Sequence, residues 1–254
     1  MRAAARRRVA TRRAARSRST NMRTGILGGS FNPIHLGHLH IAAGARRTFG
    51  LLQVHFVVAT FPPHKRLEQL VPFSHRYAMV TLATARTAGF VPSLIELEPP
   101  ASAYSIDTVA KFLRAGRGSP RDLYFIAGSD SLGDIAGWRK SRELLLACNF
   151  IFVVRKGAEV GDPAAVLPAE ARPLLQDLRA VGRRHLRRHV ETVLSRRGGS
   201  KTHIFLVDLG APAISASHIR RLAAAGRPFG HLVPVSVRTY IQKLNLYGAS
   251  CRMR

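Results

Sequence analysis

Gly25-Ile26-Leu27-Gly28-Gly29-Ser30-Phe31-Asn32-Pro33-Ile34-His35-Leu36-Gly37-His38-Leu39 reads as a buried strand, a glycine turn and two histidines entering a helix. The apolar residues of that helix continue through Ile41, Ala42 and Ala45. At the carboxyl end of such a strand, backbone N–H groups point outward and a helix N-terminus follows, so an anionic phosphate is the natural guest. Side chains at Gly28 and Gly29 would block its approach. His35 and His38 are three residues apart, which on a helix puts them on one face and within reach of one substrate group. Imidazole donates a hydrogen bond or carries charge near neutral pH, which suits charge building up on a transferred phosphoryl group. A bare strand-turn-helix with two surface histidines is the plain alternative. A Gly-Gly pair alone is weak, whereas His-x-Gly-His at fixed distance from Gly-Gly-Ser-Phe is specific.

Outward from this stretch, strands and helices alternate, the pattern of an α/β fold. The helix from about Leu36 to Phe49 gives way at Gly50 to a β-branched strand, Val54 to Ala59, which ends in Thr60-Phe61-Pro62-Pro63-His64-Lys65-Arg66. The prolines stiffen a loop there, and Lys65 and Arg66 are cations at the strand end where open parallel sheets bind ligands. Ser74 to Thr87 reads as a helix whose Arg76 is either a surface charge or a reach toward phosphate. Pro92 to Leu97 reads as a strand. A helix from about Ser105 to Leu113 follows, its start at Tyr104-Ser105 offering N–H groups to a carboxylate, or simply a serine cap.

Leu123 to Ala127 is a central strand running into Gly128-Ser129-Asp130, where an acid just beyond the strand can bind a ribose hydroxyl or cap a helix. Trp138, the one tryptophan, is followed by Arg139 and Lys140 and does not read as a core residue. Asn149 to Val154 is another strand, ending in cations at Arg155 and Lys156. From Leu174 to Leu194 the leucines and valines approximate helical spacing with arginines on the other faces, compatible with a solvated face or with RNA or an acidic surface. A last strand, His203 to Leu209, precedes Ile214-Ser215-Ala216-Ser217-His218-Ile219-Arg220. That segment is a second anion site of N–H groups, two hydroxyls and a guanidinium. Pro234 then starts a helix through Leu244.

Together these motifs resemble one family. Gly28 to His38 is similar to the signature of the His-x-Gly-His nucleotidylyltransferases, and specifically of the bacterial nicotinate mononucleotide adenylyltransferases. The resemblance implies a Rossmann-like nucleotidylyltransferase fold, a parallel sheet with helices on both faces and a small C-terminal helical part, over residues 22–247. It implies adenylyl transfer from ATP to nicotinate mononucleotide, giving deamido-NAD and pyrophosphate, a step of NAD biosynthesis. His35, His38 and Arg220 take catalytic roles on this basis. Gly28, Gly29, Ser30, Phe31, His38, Asp130, Ser215, Ser217 and Arg220 would contact ATP, and Asn32, Lys65, Tyr104, Ser105, Trp138 and Arg155 the mononucleotide, with Trp138 stacking on the pyridine ring. Ser217 stands where the family commonly has threonine, which keeps the hydroxyl. No residue set for a metal is expected, and magnesium is expected to arrive with ATP. A sister enzyme preferring the amide nucleotide would share most of these motifs. A basic nucleic-acid-binding protein on the same fold would have no need of His35, His38 and Arg220.

Composition bounds the rest. A chain of 254 residues with 46% hydrophobic content fits one α/β domain with some elaboration, or at most two small ones. Its longest apolar runs, such as Phe150 to Val154, are far too short to cross a bilayer, so no membrane partner is expected. Cys148 and Cys251 form no metal or redox motif, which suggests reduced thiols and a cytoplasmic location, with Cys148 in the core. The formal charge is +26. Eight arginines and no acid lie in residues 1–21, and without them the charge is +18. That segment has almost no bulky apolar residue and is expected to be a disordered extension, a targeting or polyanion-binding arm or an over-extended start ahead of Met22, with 248–254 as a tail. Nucleic acid is not required by any motif, and no residue pattern fixes an oligomeric state.

Overall fold

The computed structural model describes residues 23–60, 70–155, 157, 160–196 and 202–248. The arginine-rich segment 1–21, Lys65 and residues 249–254 lie outside them. The strands are β1 (Thr24–Gly29), β2 (Gln53–Val58), β3 (Phe90–Ser93), β4 (Leu123–Gly128), β5 (Asn149–Arg155), β6 (Leu175–Asp177) and β7 (Ile204–Ala211). They form one sheet in the order β3-β2-β1-β4-β5-β7-β6 with every pairing parallel. The chain builds outward from β1 to β3, then returns to the other side of β1 to start again with β4. That reversal leaves a crevice at the carboxyl ends of β1 and β4, the place where doubly wound sheets bind ligands.

The principal helices are α1 (Leu36–Phe49), α2 (Phe73–Thr84), α3 (Ser105–Arg114), α4 (Ser141–Ala147), α5 (Arg183–Ser195), α6 (Ala216–Ala224) and α7 (Val235–Lys243), the last two being the expected C-terminal helical part. Alternation along β4 sends Tyr124 and Ile126 into one apolar cluster with Phe49, Val190 and Phe205, and Leu123, Phe125 and Ala127 into another with Phe112, Leu144 and Phe150. Both faces of the sheet are therefore covered, as near-continuous apolar strands require. Each fully buried phenylalanine contributes about 1.5–3 kcal/mol of transfer free energy. Helix α1 lies close on β7, since a Cβ at Gly44 would come within 3.2 Å of Leu209. Cys148 is in the core as expected, and burial pushes its thiol up to about 12.

Two expectations are corrected. The strand expected over Pro92 to Leu97 is β3, ending at Ser93, followed by a 3₁₀ turn at Ile95–Leu97. Ser93 Oγ accepts the Ile95 N–H at 3.4 Å, and the Leu97 N–H bonds to the Leu94 carbonyl, so a local side-chain bond ends the ladder. The helical spacing from Leu174 also fails at its start. Leu175–Asp177 is the edge strand β6, paired with Ile204–Leu206, and the helix begins only at Arg183.

Candidate active site

The loop leaving β1 is held by tight contacts. A Cβ at Gly29 would stand 3.2 Å from the Phe31 ring, while one at Gly28 would meet only Phe125 at an ordinary 3.6 Å, so packing does not require glycine at 28. Phe31 has φ +44°, unusual for a bulky residue, and is buried with its ring edge-on to His38 at 5.0 Å. His35 is the N-cap of α1, in extended conformation and 4% exposed. Burial first, and the Arg155 charge second, lower its pKa to about 4, so it is neutral at physiological pH. Its Nδ1 is buried without a hydrogen-bond partner among the described residues. The His35 N–H donates to His38 Nδ1 at 3.3 Å and the two rings stack at 3.7 Å. His38 thereby satisfies an orphan N–H at the helix start, the part glutamate plays in a capping box. A Cβ at Gly37 would press on the His35 ring at 3.0 Å, which is why the motif has glycine between its histidines.

The same loop is bolted to the C-terminal helices. Asn32 is buried, its Oδ1 accepting from the Tyr247 hydroxyl at 2.9 Å and the Val71 N–H at 3.4 Å. Its carbonyl accepts from Arg220 at 2.8 Å, and Arg220 also reaches Ser217 Oγ at 3.3 Å. Ser215 caps α6 by accepting the His218 N–H. Arg76, expected at the surface or at a phosphate, is neither. It is 2% exposed and donates to the carbonyls of Val71, Ser30, Ala59 and Thr60, tying the ends of β1 and β2 to α2. Four carbonyl partners offset the cost of burying a guanidinium.

A cleft of about 330 Å³ opens at the switch point. Gly28, Gly29, Ser30, His38, Ser105, Asp130, Trp138 and Arg155 all line it, so eight of the expected residues meet there. Phe31, Asn32 and His35 are buried behind it. Ser215, Ser217 and Arg220 are absent from its lining, and of the three, Arg220 bonds the loop that borders it, at the Asn32 carbonyl. Tyr104 faces an adjoining hollow instead. Asp130 and Arg155 pair at 3.5 Å, one of them expected at the ribose and the other at the mononucleotide. A Cβ at Gly128 would collide with Asp130 Oδ1, so glycine makes room for that pair. Trp138 is half-buried and edge-on to Phe125 at 6.0 Å; it serves the core as well as the cleft, contrary to its reading as a non-core residue.

Sequence reasoning missed Glu96. It lines the cleft, is 6% exposed, and accepts from the Thr60 N–H and from the hydroxyls of Thr60 and Thr108. Burial raises its pKa against those hydrogen bonds. A lone acid in the apolar stretch Leu94-Ile95-Glu96-Leu97, just past a strand, was the available signal. Tyr104, not Ser105, is the N-cap of α3, and neither side chain caps it. No group of three or more His, Cys, Asp or Glu able to hold a metal occurs among the described residues, and no helix among them is long and apolar enough to cross a membrane.

The sequence and the fold were compared with known proteins. The profile of the cytidylyltransferase-like family matches residues 26–222. A protein of Pelobacter propionicus described as "probable nicotinate-nucleotide adenylyltransferase" is 42% identical over 229 residues, 89% of this chain and 98% of its own. One of Geobacter metallireducens with the same description is 40% identical over 227 residues, again 89% and 98%. Among solved structures, Plasmodium falciparum nicotinic acid mononucleotide adenylyltransferase complexed with NaAD has a TM-score of 0.62 at 18% identity, covering 88% of this chain and 96% of that one. The same enzyme complexed with APC has a TM-score of 0.60 over the same shares.

Proposed function

The chain belongs to the cytidylyltransferase-like family and, within it, to the nicotinate-nucleotide adenylyltransferases, and from that premise we propose how its own residues carry the reaction. The enzyme transfers the adenylyl group of ATP to nicotinate mononucleotide, forming deamido-NAD and pyrophosphate in NAD biosynthesis. The observation that carries the proposal is the cleft at the switch point, whose lining brings Gly28, Gly29 and His38 together with Trp138 and Ser105.

ATP lies with its α-phosphate against the glycine turn, where a side chain at Gly28 would stand in its way. His38 meets the charge that develops there, as a donor placed before the reaction begins. His35, neutral and stacked on His38, fixes the ring it supports. Ser215, Ser217 and Arg220 take the β- and γ-phosphates, and the bond from Arg220 to the Asn32 carbonyl keeps that second phosphate site in register with the glycine turn. ATP arrives as its magnesium complex, the ion held by phosphate oxygens and water.

Asp130 takes a ribose hydroxyl of ATP, and the pyridine ring of the acceptor stacks on Trp138. Tyr104, Ser105, Asn32, Lys65 and Arg155 complete the mononucleotide side. The acceptor 5′-phosphate oxygen attacks the α-phosphorus in line, forming the new P–O bond as the bond to pyrophosphate breaks. The enzyme contributes positioning and charge neutralisation rather than a covalent intermediate. A cytoplasmic location, suggested by the cysteine usage, is part of this reading.

Steady-state kinetics with ATP and each mononucleotide test it. The acid is expected to be favoured in kcat/KM by at least about tenfold, roughly 1.4 kcal/mol. Trp138→Ala should weaken both mononucleotides while leaving the KM for ATP nearly unchanged. Equal efficiency with acid and amide, or an ATP-specific defect in the Trp138 variant, would contradict the assignment of the pyridine pocket.

A further inference from the structure

A hollow of about 360 Å³ adjoins the cleft and shares Ser105 and Trp138 with it, so a ring stacked on Trp138 has this hollow beside it. Ala103, Tyr104, Gly137 and Leu144 complete its neutral lining, and a single charged side chain, Arg139, joins them. The Arg139 guanidinium carbon sits 4.5 Å from the centroid of the Tyr104 ring. Stacking on an aromatic face holds the guanidinium plane and leaves its N–H edge able to receive a planar anion in a fork. Among the described residues no carboxylate pairs with Arg139.

Two of the charged groups around it are hydrogen-bonded elsewhere. On its other side Arg139 faces a second hollow with Asp107, Lys111 and Arg114. The Asp107 carboxylate accepts from Ser102 Oγ at 2.6 Å, and Lys111 Nζ donates to the carbonyls of Ile95 and Glu98. Arg139 is thus a cation stacked on Tyr104 and free of any ion pair among the described residues, at the edge of the proposed pyridine pocket.

We propose that Arg139, stacked on Tyr104, reads the carboxylate of the pyridine ring and sets the preference for the acid over the carboxamide. The inference rests on nicotinate mononucleotide being the acceptor. Acid and amide are nearly isosteric and both offer oxygens to the N–H groups at the start of α3, which favour the acid only through stronger bonds to its charge. The difference between the two is a full charge, and a cation senses it directly. Arg139 is a specificity residue; it has no part at the α-phosphate, so its removal should change the choice of acceptor and not the use of ATP.

The test is steady-state kinetics of the full chain and of Arg139→Gln and Arg139→Lys, with each mononucleotide varied at saturating magnesium ATP and magnesium ATP varied at saturating acid. Arg139→Gln should lower kcat/KM for the acid at least tenfold, leave that for the amide within about twofold, and leave the KM for ATP unchanged. Arg139→Lys keeps the charge without the fork and should restore part of the acid preference. Tyr104→Leu, which removes the ring beneath the guanidinium, should erode the preference in the same sense. Because Arg139 is exposed, thermal melts of both Arg139 variants should match the wild type. Wild type and Arg139→Gln with the same acid-to-amide ratio would overturn the role of Arg139 alone, and so would an equal loss on both nucleotides. A wild-type chain with no activity on nicotinate mononucleotide would overturn the acceptor assignment and this role with it.

Discussion

The backbone N–H of His35 donates to Nδ1 of His38 at 3.3 Å while the two imidazoles stack 3.7 Å apart at 21°. A ring nitrogen that accepts an N–H carries no proton, so neutral His38 holds its proton on Nε2. The helix start thereby selects the tautomer of the residue proposed to act at the α-phosphate. His38→Ala should lower kcat by two or more orders of magnitude and leave ATP binding within a few-fold, because a contact that strengthens in the transition state acts on kcat. Turnover and ATP binding measured on the same variant check this. A near-normal kcat would remove His38 from the mechanism.

Gly37→Ala tests the packing behind that pair. Alanine is the better helix former by about 1 kcal/mol, so a variant free of conflict would gain stability. The added Cβ would instead lie 3.0 Å from His35 Nδ1 and 3.1 Å from its Cε1, against a buried ring stacked on His38. The expected result is a loss of about 1–3 kcal/mol, as for overpacking elsewhere, together with a fall in kcat. Denaturant midpoints equal to or above the wild type would show that the ring yields freely.

Buried histidines set the acid limit of stability. Burial lowers His35 and His55 to about 4 from an ordinary 6.5, with the Arg155 and Arg117 charges adding to it. Below pH 6.5 the unfolded chain binds protons that the folded chain refuses, so stability is full above that pH and falls as pH drops toward 4. Each residue accounts for up to about 3 kcal/mol over that window. Glu96, whose carboxyl burial raises, works in the opposite sense and softens the loss at the acid end. His55 lies edge-on to Phe112 at 5.0 Å in the second core cluster's neighbourhood, away from the cleft lining. Urea titrations from pH 7.5 to 4.5 should therefore show a shallower decline for His55→Phe than for the wild type. Parallel declines would take His55 out of this account.

Arg220→Lys separates charge from geometry. Lysine keeps the cation but has a single nitrogen in place of the rigid fork with which Arg220 reaches the Asn32 carbonyl at 2.8 Å and Ser217 Oγ at 3.3 Å through separate nitrogens. A fall in kcat of at least about tenfold with a raised KM for ATP is expected. Wild-type kinetics in the lysine variant would mean that only the charge matters.

Much of this architecture could be read from residues alone, and the places where it could not have a common cause. Strands β1, β2, β4, β5 and β7 are mostly apolar or β-branched runs, and α1 matches its expected limits, Leu36–Phe49, because His35 and Gly50 mark its ends. Edge strand β6 hides among leucines at helical spacing, since what makes Leu175–Asp177 a strand is its pairing with β7, far away in sequence. Arg76 and Arg139 look alike in sequence, each an arginine beside an aromatic or polar run. One is buried by carbonyls from separate segments and the other is stacked on Tyr104, and only the fold brings those partners together. The same holds for Glu96, whose hydrogen-bond partners Thr60 and Thr108 come from the end of the β2 segment and from α3. The glycine turn and its histidines were legible because their chemistry is local.

Direct adenylyl transfer at the switch-point cleft is the central claim, and the fate of a label in the α-phosphate of ATP tests it most directly. The full chain incubated with α-labelled ATP, magnesium and nicotinate mononucleotide should place the label in deamido-NAD, release one unlabelled pyrophosphate per dinucleotide, and leave none on the protein at any time. Label trapped on the protein, or pyrophosphate released without a labelled dinucleotide, would contradict the account.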